Sequence, residues 1–73
     1  MLKSATRPKP ANCEVCDAPA INFKKGLCFD HDHVTGAFRG WLCTRCNVAI
    51  GMVNDDTDLM RALIGYLDKH KGA

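Results

Sequence analysis

Phe29-Asp30-His31-Asp32-His33 and, further along, Cys43-Thr44-Arg45-Cys46-Asn47 are the stretches on which the reading of this chain turns. The first packs two imidazoles and two carboxylates into four residues; the second sets an amide directly after a Cys-x-x-Cys pair. An earlier pair, Cys13-Glu14-Val15-Cys16, repeats the cysteine spacing, with 26 residues between the two pairs. Two such knuckles can supply the tetrahedral sulfur set that zinc takes in structural sites. Four protein sulfurs leave no open position for water, so Cys13, Cys16, Cys43 and Cys46 are read as a structural zinc site. Incidental thiol pairs and a redox Cys-x-x-Cys are the competing readings. The duplication of the pair and the lack of a βαβ pattern weigh against both. Cys28, the fifth cysteine, is read as a small buried side chain.

Size makes the metal reading energetically necessary. A chain of 73 residues is one domain at most. A single core at that length contributes only ~3–5 kcal/mol, whereas structural zinc binding in small domains is worth ~10–16 kcal/mol. Residues 1–12 have no apolar h-region, which argues against a signal peptide. No apolar run approaches the ~18–20 residues that span a bilayer. Paired cysteines, an odd total and no leader point to a reducing, cytoplasmic compartment.

The formal net charge of +2 would be cancelled by four thiolates on one divalent ion, so its distribution matters more than its size. Up to Asn47 there are seven basic residues against four acids, and beyond it three against four. The basic half also carries the chemistry, a modest pointer to a polyanionic partner such as DNA.

Along the chain, 1–11 reads as a flexible basic arm, 12–70 as a single small α+β domain stabilised by zinc, and 71–73 as a tail. Lys24-Lys25-Gly26 is a turn. A strand over 27–31 places Leu27, Phe29 and His31 on one side and Cys28 and Asp30 on the other. Val34-Thr35-Gly36 reverses the chain, Gly36 taking positive φ. A returning strand over 37–42 completes a β-hairpin, with Phe38 and Leu42 on one face and Arg39 and Trp41 on the other. A short helix over 43–52 follows, broken by Asn54-Asp55-Asp56. Asp56 then caps a second helix over 57–69, whose Leu59, Met60, Leu63, Ile64 and Leu67 form an apolar stripe expected to close the core as a packing helix.

The Asp-His-Asp-His run admits three readings: a second metal site, a nucleophile–base pair, or a solvated polar turn. A Mg²⁺-type ion wants oxygen ligands, few of them from protein, and Asp30 with the carbonyl of Asn47 offers two. His31 is of the one side-chain type that exchanges a proton near neutral pH, and so could activate water. These are the parts of single-metal phosphodiester hydrolysis. Asp30 and His31, as strand neighbours, can share a site only where the strand ends and twists into its turn. Arg39 and Arg45 flank the run and are the candidate phosphate contacts, with Lys24 and Lys25 behind them.

The ordered set Cys13-x-x-Cys16, Phe29-Asp-His-Asp-His33, Thr35-Gly36, Arg39-Gly-Trp-Leu-Cys43-x-x-Cys46-Asn47, Gly51 and Asn54-Asp-Asp56 resembles the phage recombination endonuclease VII family. That resemblance implies a His-Me finger (ββα-metal, HNH-like) nuclease with structural zinc and a Mg²⁺ or Mn²⁺ ion at its site. Carried over, His31 is the general base, Asp30 and Asn47 hold the ion, and His33 assists at the scissile phosphate. Two departures bear on the substrate. The acidic residue that a junction-resolving relative carries three positions after its site Asn is here Ile50. The sequence also stops at Ala73, without that relative's dimerising extension, so length lends no support to a homodimer. Nicking or structure-specific cleavage of DNA is therefore expected, with a small nickase, or a module targeted by a protein partner, as much in view as concerted junction resolution. The alternative is a non-catalytic zinc module that binds DNA or a protein.

Overall fold

The computed structural model describes residues 4–71. A single 3-10 turn, Ala20–Asn22, precedes β1 (Cys28–His31), β2 (Phe38–Leu42), α1 (Thr44–Met52) and α2 (Thr57–His70). The two strands form an antiparallel hairpin. Gly26 and Gly36 both take positive φ, at 67° and 76°, and make the turns before β1 and within the hairpin. Asp32 shapes the hairpin loop by accepting from the N–H groups of Val34 and Thr35, each at 2.8 Å. Those donors also hold its carboxyl below the usual range. Asp32 is thus committed to an Asx turn rather than to chemistry.

The hairpin is irregular at one decisive place. Asp30 pairs with Gly40 but His31 pairs with Phe38, which leaves Arg39 as the extra residue of a β-bulge. A bulge resets the alternation of side chains along its strand. Phe38 therefore joins Phe29 and Trp41, with ring centroids 5.1 and 5.5 Å away, instead of sharing a face with Leu42 as simple alternation predicts. Phe29 meets Trp41 edge-on at 5.8 Å. This aromatic face is covered by the segment read as an arm. The Arg7 guanidinium lies 4.9 Å from the Phe38 centroid, Lys9 Nζ lies 5.3 Å from that of Trp41, and Trp41 Nε1 donates to the Arg7 carbonyl at 2.9 Å. Arg7 also pairs with Glu14, whose carboxylate accepts from the Trp41 N–H at 3.0 Å. Residues 1–3, the rest of that arm, and 72–73 of the tail lie outside the described residues.

The core is small: Cys13, Leu27, Leu42 and Cys43, with Ala20, Phe23, Trp41, Cys46 and Ile50 packed around them. Half of its buried residues are zinc-ligand candidates. α1 contributes Cys46 and Ile50 and packs on both strands. No helix among the described residues is long and apolar enough to cross a membrane.

The second helix corrects an expectation. Asp56 does cap it, accepting from Asp58 and Leu59 N–H groups at 2.9 and 3.1 Å. Yet α2 rests on neither the hairpin nor α1, and Leu59, Leu63, Ile64 and Leu67 are 43–59% exposed. It is not a packing helix. The reason is local: Ile50 and the knuckles already close the core, and Asn54 and Asp55, both left-handed at φ 53° and 58°, turn the chain aside before α2 begins.

Truncation in α2 should therefore cost little. We expect Leu63→Ala to destabilise the zinc-loaded protein by less than ~1 kcal/mol, against ~2–4 kcal/mol for Leu42→Ala in the core. Denaturant titration checks this; equal costs would restore α2 to the core.

Candidate functional site: a four-cysteine metal centre beside an Asp-His cluster

The sulfurs of Cys13, Cys16, Cys43 and Cys46 lie within 4.8 Å of one another. Zn–S bonds of ~2.3 Å in a tetrahedron place sulfurs about 3.8 Å apart. The Cys16–Cys43 separation is 3.7 Å, so the donor set fits the ion expected of it. Backbone N–H groups already point at the sulfurs, from Val15 and Cys43 to Cys13 Sγ at 3.4 and 3.3 Å, and from Cys46 to Cys43 Sγ at 3.4 Å. The thiols respond in opposite directions. Burial pushes Cys13 up, but N–H donors from Cys43, Cys16 and Val15 outweigh it and bring the thiol down to about 6. Burial, followed by the neighbouring sulfurs, pushes Cys46 up to about 12. Cys13 thus ionises more readily than Cys46, a contrast that a bound cation would reduce by favouring the thiolate form of its ligands. Cys28 stands apart, with its sulfur 3.8 Å from Thr44 Oγ1.

Cys43 does a second job as the N-cap of α1. Its sulfur accepts from the N–H of Cys46, and its carbonyl accepts from the N–H of Asn47 at 2.9 Å. The cysteine cluster therefore sets the first turn of the helix that carries Asn47, which is half-buried.

The Asp-His cluster is organised by the bulge, which falls between Asp30 and His31 where the sequence reading required a twist. Asp30 is only 6% exposed, the one buried charged side chain among the described residues. Both its oxygens are taken by the bulged Arg39, Nε to Oδ2 at 2.7 Å and Nη2 to Oδ1 at 3.0 Å. Such a bidentate pair satisfies a buried carboxylate and holds it in one orientation. The guanidinium reaches on to Asp55, at 3.3 and 3.5 Å. Hydrogen bonding to Asp30 first, and then to Asp55, raises the Arg39 pKa above its ordinary value. Asp55 Oδ2 also faces His33 Nδ1 at 3.3 Å, and the His33 ring stands edge-on to His31 at 4.9 Å.

Asp30, Arg39, Asp55, His33 and His31 thus form one connected group, of which Asn47 is not a member. Arg39, read as a phosphate contact, is spent on two carboxylates. Arg45 is exposed beside Cys16, whose thiol raises its pKa. Lys24 and Lys25 are exposed on their turn. The sequence reading passed over Asp55 as a helix breaker. Its usable signal was an Asn-Asp pair that tolerates left-handed backbone, which turned its carboxylate back to the hairpin.

With this geometry in view, comparison with known proteins is decisive for ancestry. The recombination endonuclease VII family model matches residues 2–69. The chain belongs to that family. It is also similar to the Gene 59 proteins of Mycobacterium phages D29 and L5, at 43% identity over 58 and 56 residues. Those alignments cover 78% and 75% of this chain but 34% of each relative, so the chain spans about a third of their length. No solved structure matches.

Zinc removal should unfold this endonuclease VII family domain. A strong chelator, or Cys13→Ser, is expected to abolish the near-ultraviolet circular dichroism of Trp41, which packs against the core, since a bound zinc ion would supply ~10–16 kcal/mol that the core lacks. A folded, zinc-free protein would contradict the structural role.

Proposed function

We propose that this domain is a metal-dependent DNA endonuclease of the His-Me finger type, with Asp30 and Asn47 holding a Mg²⁺ or Mn²⁺ ion and His31 activating water. Family membership makes a nuclease the first expectation. The observation that supports the finer reading is the bulge between Asp30 and His31, which breaks strand alternation between a buried carboxylate and the first of two edge-on imidazoles at the hairpin's end. The donor set suits a hard cation: a carboxylate and an amide carbonyl, with room in the coordination sphere for water and phosphate. When bound, the ion would polarise the scissile phosphate and stabilise the leaving oxygen. His31 takes the proton from the attacking water, and His33, exposed beside it, meets the phosphate. Asp30, held by Arg39, is fixed in orientation before any ligand arrives. Arg45, Lys24, Lys25 and the arm's Lys9 present positive charge to the DNA backbone. A protein partner supplying targeting fits a domain this small, and thiolates kept for zinc call for a reducing compartment such as the cytoplasm of an infected cell.

One observation favours the second reading, a non-catalytic zinc module binding DNA or protein. Both oxygens of Asp30 are already engaged by Arg39. The readings separate in a plasmid assay. Supercoiled DNA with Mg²⁺ or Mn²⁺ should be nicked, and His31→Ala should slow nicking by about 10²-fold or more with the fold intact by circular dichroism. Unimpaired nicking by that variant would remove His31 from the reaction. Binding of DNA without nicking in any divalent ion would favour the module.

A further inference from the structure

Asp30 meets Arg39 at 2.7 and 3.0 Å, whereas Asp55 meets the same guanidinium at 3.3 and 3.5 Å. One cation thus has a close partner on β1 and a looser one on the turn between the helices. The arrangement matters if Asp30 is to serve a metal ion. An Asp30–Arg39 pair alone is neutral and offers a divalent ion no net attraction, and the ion would also face a like-charged guanidinium nearby. With Asp55 added, two carboxylates share one guanidinium and a negative charge is left over.

We infer that Asp55 is a positioning residue of the metal site: it draws the Arg39 guanidinium toward itself and so frees an already oriented Asp30 oxygen for a divalent cation. The inference rests on the endonuclease reading above and deepens it. Three features of the fold suit the role. Asp55 belongs to a turn with its own backbone bonds, its N–H donating to the Ile50 carbonyl at 3.0 Å, so its carboxylate stays in place when Arg39 moves. Arg39 is the extra residue of the bulge, outside the regular pairing of the strands. The Asp55 carboxylate is partly exposed, at 26%, and so bears a negative charge more cheaply than Asp30. By facing His33 Nδ1 at 3.3 Å, the same carboxylate also holds that ring beside His31. Arrival of the cation at Asp30 is thereby linked to the histidines without direct contact.

The test uses the zinc-loaded chain. Asp55→Asn and Asp55→Gly both suit the left-handed backbone at this position and remove the charge. Mn²⁺ binding is followed without DNA, through the loss of the free Mn²⁺ paramagnetic resonance signal, beside wild type and Asp30→Asn. We expect either Asp55 variant to weaken Mn²⁺ binding by roughly tenfold, for one unit of charge lost near a partly solvated site. Plasmid nicking by Asp55→Asn, whose amide oxygen can still accept from His33, should then recover at saturating Mn²⁺, a split that a merely structural role would not produce. Wild-type Mn²⁺ affinity in both Asp55 variants, with binding lost in Asp30→Asn, would overturn this inference and leave the endonuclease reading standing. Wild-type affinity in Asp30→Asn would overturn both, because Asp30 would then not be a ligand.

Discussion

Convergence of four sulfurs from two distant knuckles is the constraint on which the rest of the structure depends. The sulfurs of Cys13, Cys16, Cys43 and Cys46 come within 4.8 Å of one another. Two of them, Cys13 and Cys43, are half of the four buried residues of the core. The consequences run outward from them. Glu14, between the first two cysteines, binds both backbone groups of Trp41, its N–H donating to the Trp41 carbonyl and its carboxylate accepting the Trp41 N–H. The first knuckle is thereby laced to β2. The second knuckle begins α1, so the helix axis and the position of Asn47 follow from where the cysteines converge. A zinc ion held there would be worth more than the whole hydrophobic core, which suits a core of this size.

A second constraint is the single extra residue at Arg39. Without it, β2 would alternate regularly and Phe38 would sit with Leu42. With it, three aromatic rings gather on one face, where Arg7 and Lys9 cover them. The guanidinium of Arg39 is meanwhile brought to Asp30, a carboxylate that would otherwise be buried unpaired. Breaking such a pair leaves an uncompensated charge, which makes the bulge and the buried carboxylate mutually dependent. The bulge therefore serves the fold and the candidate site at once.

α2 obeys different rules. Its ends are satisfied locally, by the Asp56 cap and by Lys71, whose N–H bonds the Asp68 carbonyl and whose side chain pairs with the Asp68 carboxylate at 3.4 Å. Its apolar stripe has the spacing of a buried face but is left exposed. A helix of 14 residues is only marginally stable without burial, so its caps and its Arg61–Asp58 pair carry more of its stability than they would in a packed helix.

Much was legible in the residues alone because the deciding signals are short-range. The cysteine knuckles, the Gly26 and Gly36 turns, the hairpin and the Asp56 cap each depend on residue type at fixed spacing, and each appears where the pattern puts it. The ordered Cys, Asp-His and Cys-Asn set likewise points to the endonuclease VII family, to which the chain belongs. Three things were beyond reach of such patterns, for a common reason. An inserted residue at Arg39, an acid at Asp55 meeting it across a turn, and an apolar stripe with nothing against it are matters of which distant segments meet. Periodicity reports which face of an element can be buried, while its surroundings decide whether it is. The Arg39 bulge, the ring of contacts from Asp30 to His31, and the bare face of α2 therefore emerged only once the chain was folded.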